Sequence, residues 1–138
     1  MRAKDYLGQI HKLDMRIGQR ITELNQMRER LSIVTGIDYS KDRIQSTPTS
    51  GNKQIEEIVD CENEILEMID EETKLKHRII AEIQILDNAL YADILFRRYV
   101  ECLSFERIAC DMGYAYNYVL NIHGRALQSF SEKVVRKC

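Results

Sequence analysis

Tyr116, Asn117 and Asn121 are the residues whose types and spacing carry the most usable chemistry in this chain. From about Tyr116 to Phe130, the residues Val119, Ile122, Ala126 and Leu127 recur at helical spacing and define an inner side. Helical geometry then turns Asn117, Asn121, Gly124 and Gln128 to the opposite side, with Tyr116 at the exposed N-terminal end. An asparagine amide forms a bidentate pair with adenine N6 and N7, and tyrosine offers a hydroxyl on a flat apolar ring. A helix edge of this kind can read base edges in a DNA groove. Gly124 within a helix costs about 0.5–1 kcal/mol relative to alanine, which points to close approach by a phosphate backbone or another helix. Tyr114 and Tyr118 are expected to pack the small core, and His123 to be packed or solvent-facing rather than a ligand.

Catalytic chemistry finds little support. No nucleophile elbow, phosphate loop or HExxH motif is present, and His11, His77 and His123 are scattered. Nine acidic residues and no basic one lie between Ile55 and Glu72, but they surround a helix and read as a solvated face rather than a two-metal cluster. Cys61, Cys102, Cys110 and Cys138 form no CxxC pair and show no zinc-type spacing. The expectation is a non-enzyme with no metal and no cofactor. Its thiols are expected to be reduced and mostly packed, in a cytoplasmic protein, since Met1 to Gln9 is polar and no run of about 18 apolar residues marks a membrane span.

The elements that would position the asparagines are helical throughout. With 44% hydrophobic and 30% charged residues, one proline and no tryptophan, the 138-residue chain has a helix-rich profile. From about Lys4 to Val34, Ile10, Leu13, Ile17, Leu24, Met27, Leu31 and Val34 form a heptad-like stripe. Arg20 alone interrupts it, with Ile21 beside it expected to compensate in part. Residues 36–53 read as a mobile connector, polar and turn-forming around Pro48 and Gly51. Helix resumes near Lys53 and runs to about Leu86, with Ile55, Ile58, Ile65, Ile69, Ile79, Ile83 and Leu86 on its stripe and Glu62 at an intervening seam position.

Residues 1–87 are therefore expected to form a long antiparallel helical hairpin. A second flank of Val59, Leu66, Met68, Leu75 and Ile80 is expected to pack on another chain or on the C-terminal part. Residues 88–138 should form a small three-helix unit: about Leu90–Glu101, Ser104–Met112 and Tyr116–Phe130. Ser104 is placed to cap the second of these by accepting from the backbone of Glu106 or Arg107. Gly113 should leave it through a left-handed conformation. Two helices joined by a short glycine turn make a helix-turn-helix pattern. Net charge is −4 over Met1–Asp87 and +2 over Asn88–Cys138, so electrostatics permit DNA binding at the C-terminal end.

From Leu90 onward the chain resembles region four of bacterial sigma factors. The likeness lies in Arg98-Tyr99, Ser104 to Ala109, Met112-Gly113-Tyr114, Val119, and Arg125-Ala126-Leu127. The run from Ile108 to Leu127 is similar to small phage regulators of the ArpU/RinA type, from prophages of Gram-positive bacteria. Ala3 to Leu7, then Leu13-Asp14 and Ile17, extend that similarity to the front of the chain. The resemblance implies control of phage genes, often the late genes, through double-stranded promoter DNA, in the cytoplasm of a bacterial host. It places Tyr116, Asn117 and Asn121 where base-reading side chains sit, and Leu120 and Arg125 where bases or phosphate are touched. Ser104 joins them as a DNA-contact candidate. Ala115 stands where a Ser or Thr cap is usual, and Leu120 where Arg is common. The hairpin would assemble a homo-oligomer or touch host RNA polymerase. The alternative is a non-enzymatic helical assembly or protein-interaction module of phage origin.

Overall fold

The computed structural model describes residues 1–35 and 49–135, with side chains over 1–33 and 53–135, and every regular element among them is helical. The elements are α1 (Ala3–Leu7), α2 (Gln9–Thr35), α3 (Thr49–Ile83), α4 (Ala89–Leu95), α5 (Phe105–Met112) and α6 (Tyr116–Phe130). The fold is all-α, as expected. Of the anticipated connector over 36–53, residues 36–48 lie outside the described residues, as does the side chain of Val34. Helix α3 begins at Thr49, a few residues before the expected start. No helix among the described residues is long and apolar enough to cross a membrane.

The chain separates into two compact units, Met1–Leu13 with Glu72–Cys138, and Asp14–Glu71. Sequence reading placed the boundary at residue 87, but Met1–Leu13 and the later part of α3 belong with the C-terminal helices. The reason is a shared apolar cluster: Leu7, Ile10, Leu75, Ile79 and Ile83 are buried together with Leu95, Tyr99, Phe130 and Val134. The boundary also sharpens the charge asymmetry. The first unit holds 13 basic and 9 acidic residues, a net +4, and the second 7 basic and 13 acidic, a net −6.

In the second unit α2 and α3 run antiparallel, closing over Leu24, Leu31, Ile58, Cys61 and Ile65. Arg28 pairs with Glu62 at 3.0 Å, and Arg20 reaches both Glu23 and Glu64. Ile21 does not fill the interruption at Arg20 but is 40% exposed. The arginine holds the inner edge itself, its aliphatic stem along the seam and its head turned out to carboxylates. Cys61 takes a buried seam position, and Glu62 sits at the edge, where it meets Arg28. Val59, Leu66 and Ile69 are exposed.

In the first unit, Asn88 starts α4 by accepting from the backbone N–H of Leu90 (2.9 Å) and Tyr91 (3.3 Å). Helix α4 widens into a π-helical turn, Phe96–Val100, closed by the Glu101 N–H donating to the Phe96 carbonyl at 3.0 Å. Cys102 then adopts φ +58°, which redirects the chain into Ser104. Ser104 caps α5, its Oγ accepting from the Arg107 N–H at 3.1 Å. Gly113 closes α5 at φ +73°, with Tyr114 N–H returning to the Ala109 carbonyl at 3.0 Å. Ile108, Ala109 and Val119 make the core between α5 and α6, flanked by Leu103, Phe105 and Met112. Of the described cysteines only Cys61 is buried. Cys102 and Cys110 are exposed, against the expectation of packed thiols, because one lies in the left-handed turn and the other on the outer face of α5.

Three substitutions test this scaffold by denaturant unfolding. Phe130→Ala empties a fully buried site and is expected to cost about 3–5 kcal/mol. Ser104→Ala should cost ~1 kcal/mol through the lost cap. Gly113→Ala should cost about 1–2 kcal/mol, the penalty of a Cβ in the left-handed region. A negligible effect of Gly113→Ala would mean that the turn has another conformation.

Candidate nucleic-acid interface

The setting of α6 about its own axis follows from which of its side chains are buried. Val119, Ala126 and Phe130 are fully buried and Ile122 nearly so, on a helix packed against α1, α4 and α5. At 100° per residue this leaves Asn117, Asn121, Gly124 and Gln128 on the opposite edge, and all four are exposed. Arg125 is exposed beside them, Tyr116 is 43% exposed at the N-terminal end, and Leu120 is half-buried at the margin. One helix edge therefore offers three amides, a phenol and a guanidinium, donors and acceptors of the kind base edges and phosphates require.

Ser104 lies elsewhere, at the head of α5, with its oxygen engaged as a helix cap and the residue exposed. A capping hydroxyl still has its own proton to donate. Gly124 has open space where a Cβ would be, so among the described residues none makes the close approach that its glycine suggested.

Tyr114 and Tyr118 depart from the core role expected of them. They are 42% and 43% exposed, and their rings meet each other at 5.0 Å between centroids. Leu103, Phe105 and Met112 already cover Ile108 and Val119, which leaves no volume for two further rings. Together with Tyr116, they place three partly exposed phenols in and just before the first turn of α6.

The inner side of α6 is braced by a polar cluster that sequence reading did not assemble. His123 Nε2 is 2.8 Å from the Tyr99 hydroxyl, and its ring meets the Phe105 ring edge-on at 4.7 Å between centroids. Arg98 stacks over the other partner, its guanidinium carbon 4.2 Å from the centre of Phe105, and donates to the Leu103 carbonyl at 3.0 Å. Arg97 pairs with Asp93 at 3.1 Å. The Arg97-Arg98 pair, expected to face solvent or phosphate at least in part, is thus largely engaged within the chain. Burial lowers the His123 pKa from its usual value to about 4, with the Arg98 and Lys4 cations acting in the same direction. Burial also pushes the Tyr99 hydroxyl up. The only sequence signal for this cluster was the Arg98-Tyr99 pair, whose partners lie 7 and 24 residues further on.

Set beside family profiles, curated proteins and solved structures, the chain matches none of them.

The imidazole buried in its neutral form has a consequence for acid stability. In the unfolded chain His123 takes up a proton near pH 6.5, but in the folded chain only near pH 4. Its contribution is fully present above the unfolded value and declines as pH falls from about 6.5 towards 4. Thermal melts of native chain and His123→Gln between about pH 7 and pH 5 should converge as pH falls. Two curves that stay parallel would show that this histidine is already accessible to protons.

Proposed function

We propose that this protein is a sequence-specific DNA-binding transcriptional regulator of phage or prophage genes, with α6 as its recognition helix in the major groove. The observation that carries the reading is the outward edge of α6: Tyr116, Asn117, Asn121 and Arg125 stand exposed on a helix whose other edge is locked into two cores. The glycine turn at Gly113 joins α5 and α6 in the helix-turn-helix manner. In this reading the asparagines pair with adenine, Tyr116 packs on base or sugar, Arg125 and the Ser104 hydroxyl hold phosphates, and Leu120 touches a thymine methyl. Net charge of +4 on the same unit supplies attraction for the phosphate backbone. The open space at Gly124 suits close approach of the duplex rather than of another helix of this chain.

A second reading, a non-enzymatic assembly or protein-interaction module, draws on one observation of its own: Val59, Leu66 and Ile69 are exposed at helical spacing on the hairpin. Under the first reading the same flank serves homo-oligomer formation or contact with host RNA polymerase, so that two recognition helices meet two half-sites.

Fluorescence anisotropy on phage promoter fragments separates the readings. Asn117→Ala with Asn121→Ala should weaken specific binding by about 2–6 kcal/mol in total, from two bidentate pairs at ~1–3 kcal/mol each, while circular dichroism stays unchanged. Gly124→Ala should raise folding stability by about 0.5–1 kcal/mol yet weaken DNA binding. Affinity for native DNA should fall steeply between low and moderate salt. Absence of binding to any promoter fragment at low salt would transfer the case to the assembly reading.

A further inference from the structure

Within the first unit, the N-terminal segment and the π-helical turn enclose a cavity of about 280 Å³ that the DNA reading does not use. Lys4, His11 and Lys12 reach it from the N-terminal segment, and Arg98 and Cys102 from the turn and the residue just beyond it. The lining holds a single carboxylate, Asp5, which pairs with Arg2 at 3.3 Å. Three cations therefore converge where the only lining carboxylate already has a partner. Lys4 and Lys12 are exposed, and neither forms an ion pair among the described residues.

Arg98 differs from the lysines in being held in place. Its guanidinium is clamped between the Phe105 ring and the Leu103 carbonyl, which use one face and one edge and leave further N–H groups. The cavity wall also carries the one non-glycine left-handed residue among those described, Cys102 at φ +58°. Such a conformation is retained where its surroundings impose it, a recurrent feature of ligand sites. The positive field at this end of the unit is felt by His123, whose protonation both Lys4 and Arg98 oppose.

We propose that this cleft is a phosphate-binding site, in which Lys4 and Lys12 supply mobile ammonium charges and Arg98 a fixed fork. Phosphate fits better than carboxylate because its oxygens spread charge over a tetrahedron, which three cations from different directions can share. The phosphate comes either from a DNA backbone beside α5 or from a free phosphorylated compound. Inorganic pyrophosphate reports on the site without requiring that the protein bind DNA at all.

The variant is Lys4→Gln with Lys12→Gln, two exposed positions whose change leaves the apolar core untouched. Arg98 is left alone because it also braces Phe105. Calorimetric titration of pyrophosphate into the full chain should give saturable binding that weakens at least ~10-fold in the double variant, which lacks two charge-assisted donors. In parallel, the slope of log K against log salt is measured for duplex DNA. A slope that falls by about two in the variant identifies the DNA backbone as the source, since each lysine on a phosphate contributes roughly one. Loss of pyrophosphate binding with an unchanged slope, or with no DNA binding in either protein, identifies a free phosphorylated compound. Equal pyrophosphate affinity in native chain and variant overturns the proposal, as does no saturable binding together with an unchanged slope.

Discussion

The buried edge of α6 is the constraint on which the first unit depends. Val119 belongs to the core shared with Ile108 and Ala109, while Ala126 and Phe130 belong to the larger cluster with Leu7, Ile83 and Leu95. One helix thus serves two cores along its length. Each fully buried Val, Ile or Phe side chain contributes about 1.5–3 kcal/mol, and turning α6 by one residue would set Asn121 and Arg125 in the places of Ile122 and Ala126. The exposed edge carrying Asn117 and Asn121 is fixed by what happens on the edge that cannot be seen from solvent.

Local backbone chemistry then sets the angle at which α5 meets that helix. The π-helical turn at Phe96–Val100, the left-handed Cys102, the Ser104 cap and the left-handed Gly113 follow one another within eighteen residues. The widened and reversed turns return hydrogen bonds of their own, from Glu101 N–H to the Phe96 carbonyl, from Leu103 N–H to the Arg97 carbonyl and from Tyr114 N–H to the Ala109 carbonyl. Arg98 joins this series by spanning the turn, from its own π-helical segment to the Leu103 carbonyl and Phe105. The same residue that stiffens the turn also charges the cleft beside it.

Charge is partitioned as sharply as packing. The hairpin unit carries a net −6 and its exposed apolar residues sit among carboxylates, whereas the helix-turn-helix unit carries a net +4. The separation accounts for a modest overall charge of −2 without requiring that either unit be electrically neutral.

Much of this was legible along the chain because its signals are local. The Ser104 cap, the Gly113 turn and the bounds Tyr116–Phe130 depend on residues within four positions of one another, and the structure reproduces each. Asn88 was an equally local cap signal ahead of α4 that a reading of apolar periodicity alone passes over. What sequence could not supply were pairings set by distance in space. Ile21 and Arg20 lie almost equally close to the seam by angle, and in the folded chain it is Arg20 that lies at the inner edge, paired with Glu23 and with Glu64 on the facing helix, while Ile21 is exposed. Tyr114 and Tyr118 look like core residues until Leu103, Phe105 and Met112 have taken the volume. The joining of Met1–Leu13 to the C-terminal helices, and with it the meeting of Lys4 and Lys12 with Arg98 over a separation of some 90 residues, follows from an apolar cluster assembled across the chain. Periodicity determines which face of a helix is apolar, but it is silent on which partner that face will find, because many apolar faces are chemically alike and only their shapes and lengths, in three dimensions, distinguish them.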